Sequence, residues 1–232
     1  MSAAVVLVGM SAREATERES LTALADPHGA HVAYLQVADP SVVRTLDRLC
    51  DGGAEQLTLV GVSLGRLHPG VSWLRRVAAH WWRERAEPRP AVEVGTSLVA
   101  DAAELRTVLG GLLSPVTGSE PGLTSAAWED VPSHRHQVLV CRGPRCAARR
   151  GEDTLEALVL ELLHRGQGDD DVLVTHTGCL FPCNHAPVVC VQPDDVWYGD
   201  ADPSTARRIV AEHLVDRRPL DDHRLPRTRG DL

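Results

Sequence analysis

The chain has 232 residues, 43% of them hydrophobic, with 32 acidic against 24 basic side chains and a formal net charge of −8. That size and apolar fraction suit one or two soluble globular domains, and the negative balance argues against general binding to a nucleic-acid backbone. Every basic residue is arginine, which excludes lysine chemistry such as a Schiff base or a phosphate-loop lysine. No apolar run approaches the ~20 residues of a membrane span. The N-terminal AAVVLVG is short and lacks a basic leader, so no membrane association is expected and the expected location is the cytoplasm. In that setting the six cysteines point to metal binding, redox chemistry or core thiols rather than to a disulfide framework.

In chain order, residues 3–9 read as a buried strand, and residues 12–25 have helical composition up to the Asp26-Pro27 break. A second strand is expected over 31–37, then a helix capped by Asp39 with Pro40 at its first position. Val42, Val43, Leu46, Leu49 and Cys50 fall at helical spacing there, which makes Cys50 a core thiol. Residues 56–62 form a third strand, and a glycine-bounded loop over 65–70 leads into a helix over 71–85. Trp73, Val77 and Trp81 share one face of it, a pattern read as core packing in preference to a platform for a flat ligand. A fourth strand over 92–98 precedes a helix capped by Asp101, with Leu105, Val108, Leu109 and Leu112 as its buried stripe. His28 and His31 bracket a turn and read as structural. The order is βαβαβαβα, so the fold class is α/β with a parallel sheet, helices on both faces, and any ligand beyond the carboxyl ends of the strands.

At those strand ends stand GMSAREA, ADPSV, GAEQLTLVGVSLGRLHPG and VGTSLVADAAELRTVL. In order and spacing, residues 1–113 resemble the sirohydrochlorin cobalt/iron chelatase family. The resemblance implies a tetrapyrrole ligand, a Co²⁺ or Fe²⁺ site and a homodimer. It also implies a histidine after the first strand and a second in the loop after the third. Met10 occupies the first position, and His68 sits near the second as the tentative catalytic residue. Metal insertion needs a ligand for a borderline cation and an acceptor for pyrrole protons, and neutral imidazole can serve as either. A thioether takes no proton and is a soft, weak ligand, so full catalytic function is not expected of this domain.

Residues 114–135 mix Pro, Gly, Ser and Thr with little periodicity and read as a linker. His134 and His136 at its end read as solvent-facing in preference to a chelating pair. A second α/β domain is expected over 136–216. A strand over 137–141 delivers Cys141; Gly143 and Pro144 turn the chain; Cys146 stands at a helix start. Leu155, Leu158, Val159, Leu162 and Leu163 form that helix's apolar stripe, and Gly166 stops it. Strands over 171–177, 187–192 and 196–199 follow, then a helix opened by Asp202-Pro203. Residues 217–232, rich in Arg, Asp and Pro, are expected to fray.

Four cysteines fall in two close pairs, Cys141 with Cys146 and Cys179 with Cys183, in loops that such a fold can bring to one end. Four thiolates suit zinc or an iron–sulfur cluster, with redox dithiols and inert thiols as further readings. Zinc knuckles favour two intervening residues, whereas here four separate the first pair and three the second, which favours a cluster. Backbone amides around Gly143, Ala147 and Leu180 are candidate hydrogen-bond donors to sulfur. The acidic clusters at 169–171 and 194–195 read as solvated turns in preference to a surface that steers a basic redox partner.

The segments VCRGPRCAARRGEDTL and THTGCLFPCNHAPVVCVQPDDVWYGDADPSTARRIVAEHL are similar to the thioredoxin-like [2Fe-2S] ferredoxin family over some 80 residues. The resemblance implies one [2Fe-2S] cluster held by Cys141, Cys146, Cys179 and Cys183, a redox partner protein and one-electron transfer. Phe181 and Ala186 stand where that family often has glycine. Cys190 lies outside the pattern and reads as a core thiol, and His185 does not make a Rieske-type site, which needs two histidines. The leading expectation is an electron carrier fused to a chelatase-like domain; the alternative is a tetrapyrrole chelatase carrying a regulatory cluster.

Overall fold

The computed structural model describes residues 2–227, which divide between Trp128 and Glu129 into two compact units.

In the first unit, strand β1 (Ser2–Gly9), helices α1 (Ala12–Thr16) and α2 (Arg18–Ala25), β2 (His31–Tyr34), α3 (Val42–Asp51), β3 (Ala54–Val62), α4 (Val71–Glu84), β4 (Ala91–Gly95) and α5 (Ala102–Leu109) follow in turn. The sheet order is β2-β1-β3-β4-β5, where β5 (Leu113–Pro115) pairs antiparallel with β4 and the other pairs are parallel. Side chains alternate across β1 and β3. Val6, Val8, Leu57 and Leu59 meet Leu46 of α3 and Leu74, Ala78 and Trp81 of α4. Leu7, Val60 and Val62 meet Leu21 of α2 and Leu105 and Val108 of α5. Both faces of the central strands are therefore buried, which is why their sequences run nearly uninterrupted in apolar residues.

Three expectations are corrected in this unit. The helix expected over 12–25 breaks at Glu17, whose φ of −94° and ψ of 44° are not helical. The expected linker does not begin at 114, because β5 pairs there and Arg75 donates to Ser114 O at 3.1 Å and to Glu120 Oε1 at 2.8 Å. Arg83 adds bonds to the carbonyls of Gly118 and Glu120. Side-chain staples of this kind leave no periodicity in the sequence they hold. On α4 the buried stripe is Leu74, Ala78, Ala79 and Trp81, whereas Trp73 stacks on Trp128 with ring centroids 5.0 Å apart and Arg76 over both rings.

The second unit contains β6 (His136–Cys141), α6 (Pro144–Ala148), α7 (Gly151–His164), β7 (Val172–Thr177), β8 (Val189–Gln192), β9 (Val196–Tyr198) and α8 (Pro203–Arg208), which runs on as a π-helical segment, Ile209–Val215. The sheet order is β7-β6-β8-β9, parallel between β6 and β7 and antiparallel elsewhere. Val138, Val140, Val189 and Val191 pack against Leu155, Leu158 and Leu162 of α7 and against Ile209, Val210 and Leu214. Asp202 caps α8 by accepting the Thr205 N–H at 2.8 Å, a cap of about 1 kcal/mol.

The expected frayed end is ordered over 217–227. Leu220 is buried and donates its N–H to Tyr198 Oη, Gly199 donates to His223 O, and Leu225 donates to Trp197 O. These bonds turn the segment back along β9; the rest of that expectation, 228–232, lies outside the described residues.

Candidate metal centre

Strand β6 ends at Cys141, and its parallel neighbour β7 ends in register at Thr177. The loops that leave those two ends are therefore adjacent, which parallel pairing guarantees and sequence distance hides. Gly143 and Pro144 then start α6, with Gly143 as N-cap and Pro144 in the first turn, so Cys146 is carried inward on the helix.

The four thiols converge from the two loops. Leu180 N–H donates to Cys141 Sγ at 3.4 Å, and the Cys141 thiol lies 3.4 Å from Gly178 O. Cys179 Sγ and Cys183 Sγ stand 3.2 Å apart as free thiols. A Cβ added at Gly143 would come within 2.9 Å of Cys179 Cα, closer than real Cβ atoms approach. Glycine is what lets the first loop touch the second. Among the described residues no three His, Cys, Asp or Glu groups are drawn around a single-ion position; the sulfurs approach one another pairwise.

Access divides the thiols into two classes. Cys141 and Cys146 are 1% exposed, whereas Cys179 is exposed and Cys183 half-buried. Burial pushes the Cys146 thiol up to about 11, reinforced by its hydrogen bond with Cys141 and opposed by the Val188 N–H. Cys179 moves the other way: the Phe181 N–H lowers it first, and the Cys183 thiol adds to this. Its partner Cys183 is raised by the same contact. Of the amides expected to serve sulfur, Leu180 does so, but Ala147 N–H is spent on Gly143 O at 2.9 Å. The N–H groups of Val188 and Phe181 serve sulfur as well. A cavity of about 480 Å³ opens beside the exposed pair, lined by Pro144, Arg145, Phe181, Pro182 and Asn184.

The remaining expected residues lie apart from these thiols or have other partners. Cys190 is fully buried in β8, and Cys50 packs half-buried beside α3's core residues. His185 is exposed in a 3₁₀ turn. In the first unit, Met10 is fully buried, its N–H donating to Val62 O at 3.1 Å, and a Cβ at Gly61 would lie 3.0 Å from its Sδ. His68 is exposed, with Nδ1 3.2 Å from Pro69 O. The crevice between the ends of β1 and β3 is bridged by Glu14. That buried carboxylate accepts from Ser11 N–H at 2.6 Å, Ser11 Oγ at 2.8 Å and Leu64 N–H at 2.7 Å.

One polar cluster escaped the sequence. His136, expected to face solvent, is 7% exposed, and its Nε2 lies 3.4 Å from Asp194 Oδ2. The same oxygen is 2.9 Å from His213 Nε2, and Tyr198 Oη is 2.7 Å from His213 Nδ1. Residue 213 falls on the buried face of the last helix with Ile209, Val210 and Leu214, so its spacing was the available signal. Asp194 is engaged internally by His136 and His213, and Asp195 by Trp197 Nε1, Gln192 and Arg227.

A thioredoxin-like α/β unit presenting four cysteine thiols at the end of a parallel strand pair defines the class. Residues 126–214 match the family model described as thioredoxin-like [2Fe-2S] ferredoxin. A 2Fe-2S ferredoxin of Aquifex aeolicus (strain VF5) is 34% identical over 76 residues, covering 33% of this chain and 68% of the relative. The crystal structure of the wild-type thioredoxin-like [2Fe-2S] ferredoxin from Aquifex aeolicus is similar at 30% identity, covering 40% of this chain and 97% of that one, with a TM-score of 0.38. A putative cobalamin (vitamin B12) biosynthesis CbiX protein from Marinobacter aquaeolei VT8 is similar at 22% identity, covering 47% of this chain and 88% of that one, with a TM-score of 0.32. Through its second unit, the chain belongs to the thioredoxin-like [2Fe-2S] ferredoxin family.

Proposed function

We propose that the chain is a one-electron carrier whose [2Fe-2S] cluster is held by Cys141, Cys146, Cys179 and Cys183. The observation that carries this reading is the meeting of the two cysteine loops at Gly143, where a side chain would obstruct the approach. The donor set fits: four sulfurs without competing carboxylates match a thiolate-held cluster. When bound, such a cluster supplies reversible uptake of a single electron. The chain's own residues do the rest. Cys141 and Cys146 anchor the buried side, Cys179 and Cys183 reach the surface, and the N–H groups of Leu180, Phe181 and Val188 point at sulfur, where they stabilise negative charge.

The first unit supports a chelatase-like scaffold without metal insertion. Met10 fills the end of β1 where that chemistry needs an imidazole, and Glu14 is committed to three internal bonds. A tetrapyrrole ligand, Co²⁺ or Fe²⁺ binding there, and homodimerisation rest on the family resemblance of that unit. The cytoplasmic location accords with free thiols; no described helix is long and apolar enough to cross a membrane.

Anaerobic purification tests the cluster. The full chain should be brown, carry about two irons and two sulfides, and bleach with dithionite; a colourless, zinc-loaded protein overturns the assignment. Incubation with Co²⁺ and sirohydrochlorin should proceed at the protein-free rate. A faster reaction abolished by His68→Ala would restore the enzymatic alternative.

A further inference from the structure

The two thiols that reach the surface, exposed Cys179 and half-buried Cys183, mark where an electron leaves, and the two loops that meet there have a charge opposite to that of the chain. Residues 141–151 contain Arg142, Arg145, Arg149 and Arg150 and no carboxylate, and the loop 178–187 contains no Asp or Glu. Arg149 is paired with Asp200 at 3.5 Å and Arg150 with Asp153 at 2.7 Å. Arg145 is placed differently. Its guanidinium donates at 3.1 Å to the neutral amide of Asn184 across the cysteine loop, and its charge bears on both Cys179 and Cys183. At the crest of the same loop Phe181 is 74% exposed. Its φ of 51° is a left-handed conformation that bulky side chains seldom adopt, and it holds the ring outward beside the cavity that Arg145 lines.

We infer that this face is the docking surface for an acidic redox partner, whose apolar recess receives Phe181 and whose carboxylates face Arg145. The inference rests on the electron-carrier reading. The net charge of −8 alone selects the opposite partner, a basic protein. Local charge decides here because at ordinary ionic strength the Debye length is about 8–10 Å, so carboxylates on remote surfaces are screened while those facing the rim are not. An exposed aromatic beside an arginine also has the composition of an interface centre.

The test uses the full-length, oxidised brown protein and two fluorescently labelled probes, an acidic flavodoxin and basic cytochrome c, with binding followed by anisotropy at rising salt. No electron passes in this measurement. The flavodoxin should bind more tightly than cytochrome c and weaken as salt rises. Arg145→Glu should weaken it about tenfold or more. Arg165→Glu makes the same change in net charge at the far end of α7 and should leave binding unchanged. Phe181→Ala should weaken binding with its salt dependence retained. Tighter binding of cytochrome c, or equal effects of Arg145→Glu and Arg165→Glu, would overturn the docking surface while the colour of the protein still upholds the cluster. A colourless preparation overturns both.

Discussion

Both units place a pair of parallel strands side by side, yet their carboxyl ends are used in opposite ways. Beyond β1 and β3, Met10 is packed into the core and Glu14 spans the gap, so side chains consume the crevice. Beyond β6 and β7 the gap is kept by Gly143, and the residues that enter it are thiols, one of them exposed and one half-buried. Strand topology offers a crevice at this position, but the residues immediately after each strand determine whether it becomes core or site.

Removing a sulfur should break the comparison most severely. Cys141→Ala or Cys146→Ala is expected to abolish the brown colour, because each deletes one of the two buried anchors. Retention of the visible spectrum in Cys146→Ala would remove that residue from the ligand set. Met10→Ala is expected to leave the spectrum intact while costing about 2–5 kcal/mol of stability through the cavity it leaves. Urea denaturation followed by tryptophan fluorescence measures this, and an unchanged midpoint would show that Met10 is not the plug described. Glu14→Ala is expected to cost a comparable amount. It strands the N–H groups of Ser11 and Leu64, at about 1–3 kcal/mol each. If the loss were below that of a surface substitution, the bridge would not be what closes the first crevice.

The strand and helix order of both units is legible in the sequence because buried parallel strands and amphipathic helices write their packing into local periodicity. Val6 and Val8 facing one core and Leu7 the other is an example. The cysteine pairs are legible too, since spacing reflects loop length. Their unequal exposure is not, because it depends on where α6 carries Cys146 and how far the 178–184 loop projects. The return of 217–227 along β9 and the stapling of 113–120 by Arg75 and Arg83 are equally silent. Both rest mainly on long-range bonds to backbone, which most local sequences satisfy. His136 misleads for a related reason: beside His134 at a strand entrance it reads as surface, and the group that buries it, Asp194, arrives from a turn 58 positions away.

That histidine provides the mildest way to sharpen the comparison. Its end of β6 is closed by a polar network rather than by Met10-like packing, and a closed polar network should respond to pH. Burial lowers the His136 pKa first; His213 and Arg135 lower it further, and Asp194 opposes them. The folded-state value thus lies below the ordinary imidazole value of about 6.5. The unfolded chain binds the proton first on acidification, so stability from the neutral ring is complete above about 6.5 and is lost as pH falls through the folded value. Denaturation followed by loss of the cluster's colour reports this unit alone. Its midpoint should fall between pH 7.5 and pH 5.5, and His136→Leu should flatten the decline, because an apolar side chain in the same site has no proton to bind. An equally steep decline in the variant would assign the acid sensitivity elsewhere.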